Sequence, residues 1–154
     1  MRECLVLALI LLCGTPLAAQ TVPAGWQVVK DSHGSCQMAV PPDWSPWEEN
    51  TGAAVFHEPT TAIAVVTSQP GQVFKPLSDS QQRLLNIVKD KLFENSATRI
   101  FYQDKSSAKS EDSNAYSASV PGNDGTCSCR ITFLPSVPVE TARKIALSLG
   151  KTGH

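Results

Sequence analysis

The amino-acid sequence lacks the short signatures of the common catalytic and nucleotide-binding sites. It contains no Gly-x-Ser-x-Gly elbow, no His-Glu-x-x-His, no phosphate-binding loop and no Gly-x-Gly-x-x-Gly. Its three histidines are scattered along the chain. The sequence therefore predicts no catalytic residue and no cofactor, and it favours a protein that is not an enzyme.

An excess of positive charge is also missing. Thirteen Lys and Arg residues are balanced by fourteen Asp and Glu residues, which gives a formal net charge of −1. Nucleic-acid binding depends on Lys and Arg side chains that neutralise phosphates, so nucleic acid is not an expected partner. Beyond the N-terminus no run approaches the roughly 20 apolar residues that cross a bilayer. We expect no transmembrane segment in the mature chain.

The N-terminus has the pattern of a cleaved export signal. Arg2 precedes the apolar run 5–12, helix-breaking Gly14 and Pro16 follow, and small residues end at Ala19. The sequence predicts a signal peptide over residues 1–19 and a single domain over 20–154 in a secreted or periplasmic location. Lipidation of Cys13 fits less well, because the preceding residue is a leucine and should be small.

Strand patterns fill much of the predicted domain. Residues 26–30 and 35–40 read as one β-hairpin, and residues 53–57 and 62–68 as a second, each with a polar or proline-bearing turn. Later strands are predicted at 98–104, 115–121 and 127–134. In the first hairpin, alternation puts three side chains on one apolar face: Cys36, Met38 and Val40.

Two segments have the three- and four-residue spacing of amphipathic helices. The first starts at Ser78, where Gln81 completes a capping box, and its apolar positions are Leu84, Leu85, Val88 and Leu92. The second runs from Pro138 to just before Gly150. Its apolar side consists of Ala142, Ile145, Ala146 and Leu149.

This order of elements predicts an α+β domain, an antiparallel sheet with helices packed on it. Gly25-Trp26, the motif Val40-Pro41-Pro42-Asp43-Trp44 and the C-terminal Ile145-Ala146-Leu147-Ser148-Leu149 resemble the PsbP-like fold family. That family includes the extrinsic photosystem II protein and many small exported bacterial proteins. The resemblance covers about residues 25–149. It implies an α/β/α sandwich with a binding or assembly role, and it supplies no functional residue.

Three cysteines remain once the predicted leader is removed. Cys127 and Cys129 share one strand face with Ile131 and Phe133, so both should point to the core, as Cys36 should. An oxidising compartment favours a disulfide between Cys36 and one of the other two, and the pattern leaves open which. A bond between Cys127 and Cys129 is disfavoured, because same-face neighbours exceed the usual Cβ separation of about 3.8 Å. Buried free thiols are the plain structural alternative.

Two functional alternatives use the same thiols. A zinc or copper site could combine Cys36, Cys127 and Cys129 with His33 or His57, although no Cys-x-x-Cys is present. A thiol-disulfide oxidoreductase needs an exposed cysteine of low pKa, normally at a helix N-terminus, whereas Cys127 and Cys129 lie within a strand.

Tryptophans provide the other candidate site. Trp26, Trp44 and Trp47 lie near a group of prolines, and together they are predicted to form an exposed aromatic binding surface, with core packing as the ordinary alternative. The sequence as a whole favours an exported, noncatalytic binding or assembly module whose partner it does not identify. The second choice is a secreted thiol/disulfide or metal-binding protein.

Overall fold

Two antiparallel sheets make up most of the fold. The computed structural model describes residues 20–47, 54–58, 62–85, 87–105, 114–133 and 138–153, so the predicted leader lies outside the described residues. The smaller sheet has the order β1-β2-β10, with β1 at Gln27–Lys30, β2 at Cys36–Val40 and β10 at Gly150–Lys151. The larger sheet has the order β3-β4-β5-β9-β8-β7-β6. Its strands are β3 (Ser45–Trp47), β4 (Ala54–Glu58), β5 (Ala62–Pro70), β6 (Ile87–Asn95), β7 (Ile100–Lys105), β8 (Asn114–Pro121) and β9 (Gly125–Phe133).

Two short helices accompany the sheets, α1 at Asp79–Leu84 and α2 at Val139–Leu147. Both predicted hairpins are confirmed, because β1 pairs with β2 and β4 pairs with β5. The three later strands and the C-terminal helix are also confirmed. Strands β3 and β10, with three and two residues, were not predicted. Among the described residues, no helix has the length and apolar character needed to cross a bilayer.

The long amphipathic helix predicted from Ser78 is wrong. The capping box of Ser78 and Gln81 is present, but α1 ends at Leu84 and the chain continues as strand β6. This strand pairs irregularly with β7, with register shifts on both sides of Leu92 and a φ of 60° at Asp90. The shifts break the two-residue alternation of a strand. They leave apolar residues at spacings that imitate a helix.

The core is formed by buried residues of the larger sheet, the smaller sheet and α2. The predicted apolar side of α2 is buried, with Ile145 completely inaccessible. The predicted core faces of β2 and β9 are buried as well. The members of this cluster include Met38, Val40, Ala64, Val66, Phe101, Tyr116, Cys129, Ile131, Phe133, Ala142, Ile145 and Leu149.

Candidate functional site

Among the described cysteines, Cys36 and Cys127 form a disulfide. It ties β2 of the smaller sheet to β9 of the larger one, with the two Cα atoms 5.5 Å apart. The predicted bond from Cys36 is confirmed, and the structure selects Cys127 as its partner. Cys129 is a buried free thiol.

The disulfide weakens both thiol-based alternatives. Cys36 and Cys127 cannot supply thiolates to a metal while they are bonded to each other. Burial raises the pKa of the Cys129 thiol to about 12, so this group stays protonated at neutral pH. The described residues contain no group of three or more His, Cys, Asp and Glu side chains placed to hold a metal ion.

The three tryptophans do not lie on one exposed surface. Trp44 is buried in the core, and Trp26 is partly buried against the core cluster. Trp47 is 48% exposed at the edge strand β3, where its ring meets that of His57 edge-on with the ring centroids 5.0 Å apart. Only Trp47 therefore offers a large exposed aromatic surface among the three.

A serine, a histidine and an aspartate meet beside the disulfide, but not in the arrangement of a hydrolase. In a catalytic triad the serine donates to one histidine nitrogen and the aspartate faces the other. Here Ser68 Oγ donates to Asp31 Oδ2 at 2.6 Å, and both side chains lie near the same nitrogen, His33 Nδ1, at 3.3 and 3.5 Å. The geometry is that of a structural anchor for the turn between β1 and β2.

Asp31 is the centre of this anchor. Its carboxylate also accepts from the backbone N–H groups of Ser35 at 2.8 Å, Cys36 at 2.9 Å and His33 at 3.4 Å. Burial by itself would raise the pKa of Asp31, but these hydrogen bonds and the one from Ser68 outweigh it and hold the pKa below the ordinary value of 3.8. The folded state therefore favours the ionised carboxylate.

We expect Asp31→Asn to destabilise the protein by about 1–3 kcal/mol at pH 7, because hydrogen bonds to a charged acceptor are lost. The depressed pKa contributes stability above about pH 4, which is lost as the pH falls through the folded pKa. The difference between parent and variant should therefore shrink at pH 3, as measured by urea unfolding at both pH values. The exposed Asp43→Asn variant is the control. An equal difference at pH 7 and pH 3 would contradict the ionic role of Asp31.

The open face of the larger sheet carries two rows of side chains from paired strands. One row runs Val65, Arg130, Ser117, Tyr102 across β5, β9, β8 and β7. The next runs Thr67, Ser128, Ser119, Ile100 across the same four strands, and Ser119 Oγ and Ser128 Oγ lie 3.0 Å apart. Strand alternation brings these polar groups to the face opposite the core. They form a floor rich in hydroxyl groups.

Residues 72–85 lie over this floor and are anchored to the sheet. The hydroxyl of Thr126 donates to the carbonyl of Gln72 at 2.8 Å. Further along, the Asn95 side chain makes two hydrogen bonds with the backbone of Leu77, at 2.7 and 3.0 Å. We call this segment the roof.

A groove of about 860 Å³ lies between the floor and the roof. Pockets for small molecules usually measure roughly 300–1,000 Å³. The roof contributes apolar side chains to it, and two of these are strongly exposed, Leu84 at 80% and Val73 at 73%. α1 buries none of its residues, so it adds nothing to the core. The roof therefore presents apolar side chains to solvent beside the groove.

The charged residues in the described lining of the groove all have one sign. Lys75 of the roof and Arg130 of the floor line it, and none of its described lining residues is acidic. Arg130 is half-buried and lies in the same row as the buried Tyr102. The groove therefore combines apolar contact surface with hydroxyl donors and two cations.

Alternation that turns Cys127 and Cys129 toward the core turns Ser128, Arg130 and Thr132 away from it, where they pair with Thr67, Val65 and Ile63 of β5. It did not predict the groove. The residues of the site come from four strands and a loop, and their meeting depends on strand order. The only local signal was the row of polar side chains on a central strand.

Comparison with known proteins gives a likeness of fold alone. No protein-family model matches the chain, and no curated protein matches it. A solved crystal structure from Bacteroides thetaiotaomicron VPI-5482 is similar to it with a TM-score of 0.53 and 16% identity. The match covers 80% of this chain and 47% of the Bacteroides chain, so this chain spans about half the length of that protein.

Proposed function

We propose that this protein is an exported, noncatalytic binding module that holds a small anionic amphiphile in the groove. The observation that carries the proposal is the composition of the groove walls. A cationic and hydroxyl-rich floor faces an exposed apolar roof, and acidic residues are absent from the described lining. A ligand with one anionic head and an apolar body matches both surfaces.

Recognition would divide between the two walls. Arg130 binds the anionic head, because a guanidinium presents several donors to a carboxylate or phosphate. Ser117 and Tyr102, its neighbours in the same row, supply hydroxyl groups. The Leu84 side chain is 80% exposed. A bound ligand would bury it, and the burial of this apolar surface favours binding.

Export and the relationship to the PsbP-like family belong to the same proposal. The leader pattern supports export, and the Cys36–Cys127 disulfide is compatible with an oxidising compartment. Two positions support the α/β/α layering. α2 contributes to the core on one face of the larger sheet, and the roof, which includes α1, lies beside the other face.

The proposal is tested by calorimetric titration of protein spanning residues 20–154 with dodecanoate. The dodecanoate is kept below the concentration at which it forms micelles. We expect binding to the parent protein and about tenfold or greater weakening in Arg130→Gln, because a charge-assisted hydrogen bond is lost. Leu84→Asp should also weaken binding.

The exposed Arg83 provides the matched control, since it lies on α1 but does not line the groove. Arg83→Gln should bind dodecanoate as the parent does. Dodecyltrimethylammonium, with the same chain and the opposite charge, should bind much more weakly. Equal affinity for the two amphiphiles, or no effect of Arg130→Gln, would refute the proposed ligand class.

A further inference from the structure

Arg99 is a buried cation whose hydrogen bonds are incomplete. It is 8% exposed and lies just before β7. Its Nη2 donates to the carbonyl of Leu147 at 3.2 Å, and its Nη1 lies 3.8 Å from Glu94 Oε2. Its Nε is buried and has no hydrogen-bond partner among the described residues. A guanidinium carries five N–H donors, so most of them are not used by these contacts.

A second cavity adjoins Arg99. It has a volume of about 530 Å³ and lies by the end of α2, between the start of β7 and strand β10. Lys151 and Gln37 also line it, and its apolar wall comes from Val120 and Leu149. It shares no described lining residue with the groove.

We propose that this cavity binds a small monocarboxylate through Arg99. The buried Nε is out of reach of a ligand, so a carboxylate in the cavity would meet the Nη groups, with which it makes paired, charge-assisted hydrogen bonds. Glu94 offsets one of the two cations, Arg99 and Lys151, which leaves a single positive charge for the ligand. A singly charged anion fits this balance better than a dianion such as phosphate. The apolar wall then contacts the body of the acid.

Benzoate is the probe, and its neutral analogue benzamide is the control ligand. In NMR titrations of the full-length protein, benzoate should shift the Arg99 Nε–H resonance, and benzamide should leave it in place. Lys151→Gln removes an exposed charge and should weaken benzoate binding about two- to fivefold. Arg99→Lys keeps the positive charge but loses the planar guanidinium group, so it should weaken benzoate binding about tenfold or more.

Arg99 also contacts the end of α2, so Arg99→Lys could lower the stability of the protein. Lys151 is exposed, so Lys151→Gln tests the cavity without affecting folding. Arg130→Gln, in the groove, should leave the benzoate-induced shift of the Arg99 Nε–H resonance unchanged, which separates this site from the proposed amphiphile site. The carboxylate site is refuted if benzamide binds as tightly as benzoate, if Lys151→Gln has no effect, or if the Arg99 Nε–H resonance does not move with benzoate.

Discussion

Replacing Cys36 or Cys127 with alanine is expected to lower the free energy of unfolding by about 4 kcal/mol under nonreducing conditions. The two cysteines are 91 residues apart, and the loop they close restricts the unfolded chain. Denaturant unfolding of protein spanning residues 20–154 measures the effect. Once dithiothreitol reduces the parent protein, the difference between parent and variants should largely disappear.

Cys129→Ala is the matched control, because Cys129 lies two residues from Cys127 and is buried but unpaired. It removes one buried sulfur atom and should cost only about 1 kcal/mol, with or without reductant. Thiol titration of the same denatured, unreduced protein should find one free cysteine. Three free thiols, or a redox-dependent effect of Cys129→Ala, would contradict the assigned pairing.

Ile145→Asp is expected to abolish stable folding, whereas Leu85→Asp should change the free energy of unfolding by no more than about 0.5 kcal/mol. Ile145 is completely buried where α2 packs on the larger sheet, and an unpaired charge there costs several kcal/mol, comparable with the whole stability of a domain. Leu85 is 40% exposed just after α1, where substitutions have small effects.

Circular dichroism during thermal unfolding measures both variants. The pair also separates the observed fold from the helix predicted between Ser78 and Glu94. In that helix Leu85 would be a core residue and its replacement by Asp would unfold the protein. Strong destabilisation by Leu85→Asp would therefore contradict the short α1 and the strand that follows it.

The disulfide also affects the groove, because strand β9 contains both Cys127 and residues of the floor. Cys127 is followed on β9 by Ser128, which lies on the floor, and then by Arg130. The bond fixes β9 to β2 on the core side, while the outward residues of the same strand form the floor. A fixed strand holds Arg130 and its neighbouring hydroxyl groups in place before a ligand arrives, which reduces the entropy lost on binding.

Local patterns were sufficient for much of the fold. Alternation over β2 and β9 identified the core faces that contain Cys36, Cys127 and Cys129, but it did not select Cys127 over Cys129 as the partner of Cys36. The spacing of Ala142, Ile145 and Leu149 likewise predicted the buried side of the last helix. In these segments local pattern and tertiary packing agree.

The failures occur where tertiary contacts override the local pattern. Helical spacing is present at Leu84, Leu85, Val88 and Leu92. The second half of this segment is nevertheless strand β6, whose backbone hydrogen bonds are made by its irregular pairing with β7. Trp44 was a candidate for the exposed aromatic surface, but it is buried, which is the core packing expected as the ordinary alternative. The groove depends on the order β5-β9-β8-β7, which no single segment encodes.

The most direct test of the proposed function is amide chemical-shift mapping of protein spanning residues 20–154 during titration with dodecanoate. We predict that the largest shifts occur at the groove, at Ser117, Ser128 and Arg130 of the floor and at Leu84 of the roof. They should be much smaller in Arg130→Gln at the same ligand concentration. Shifts confined to the Arg99 cavity or to Trp47, with the floor and roof unchanged, would contradict a binding role for the groove.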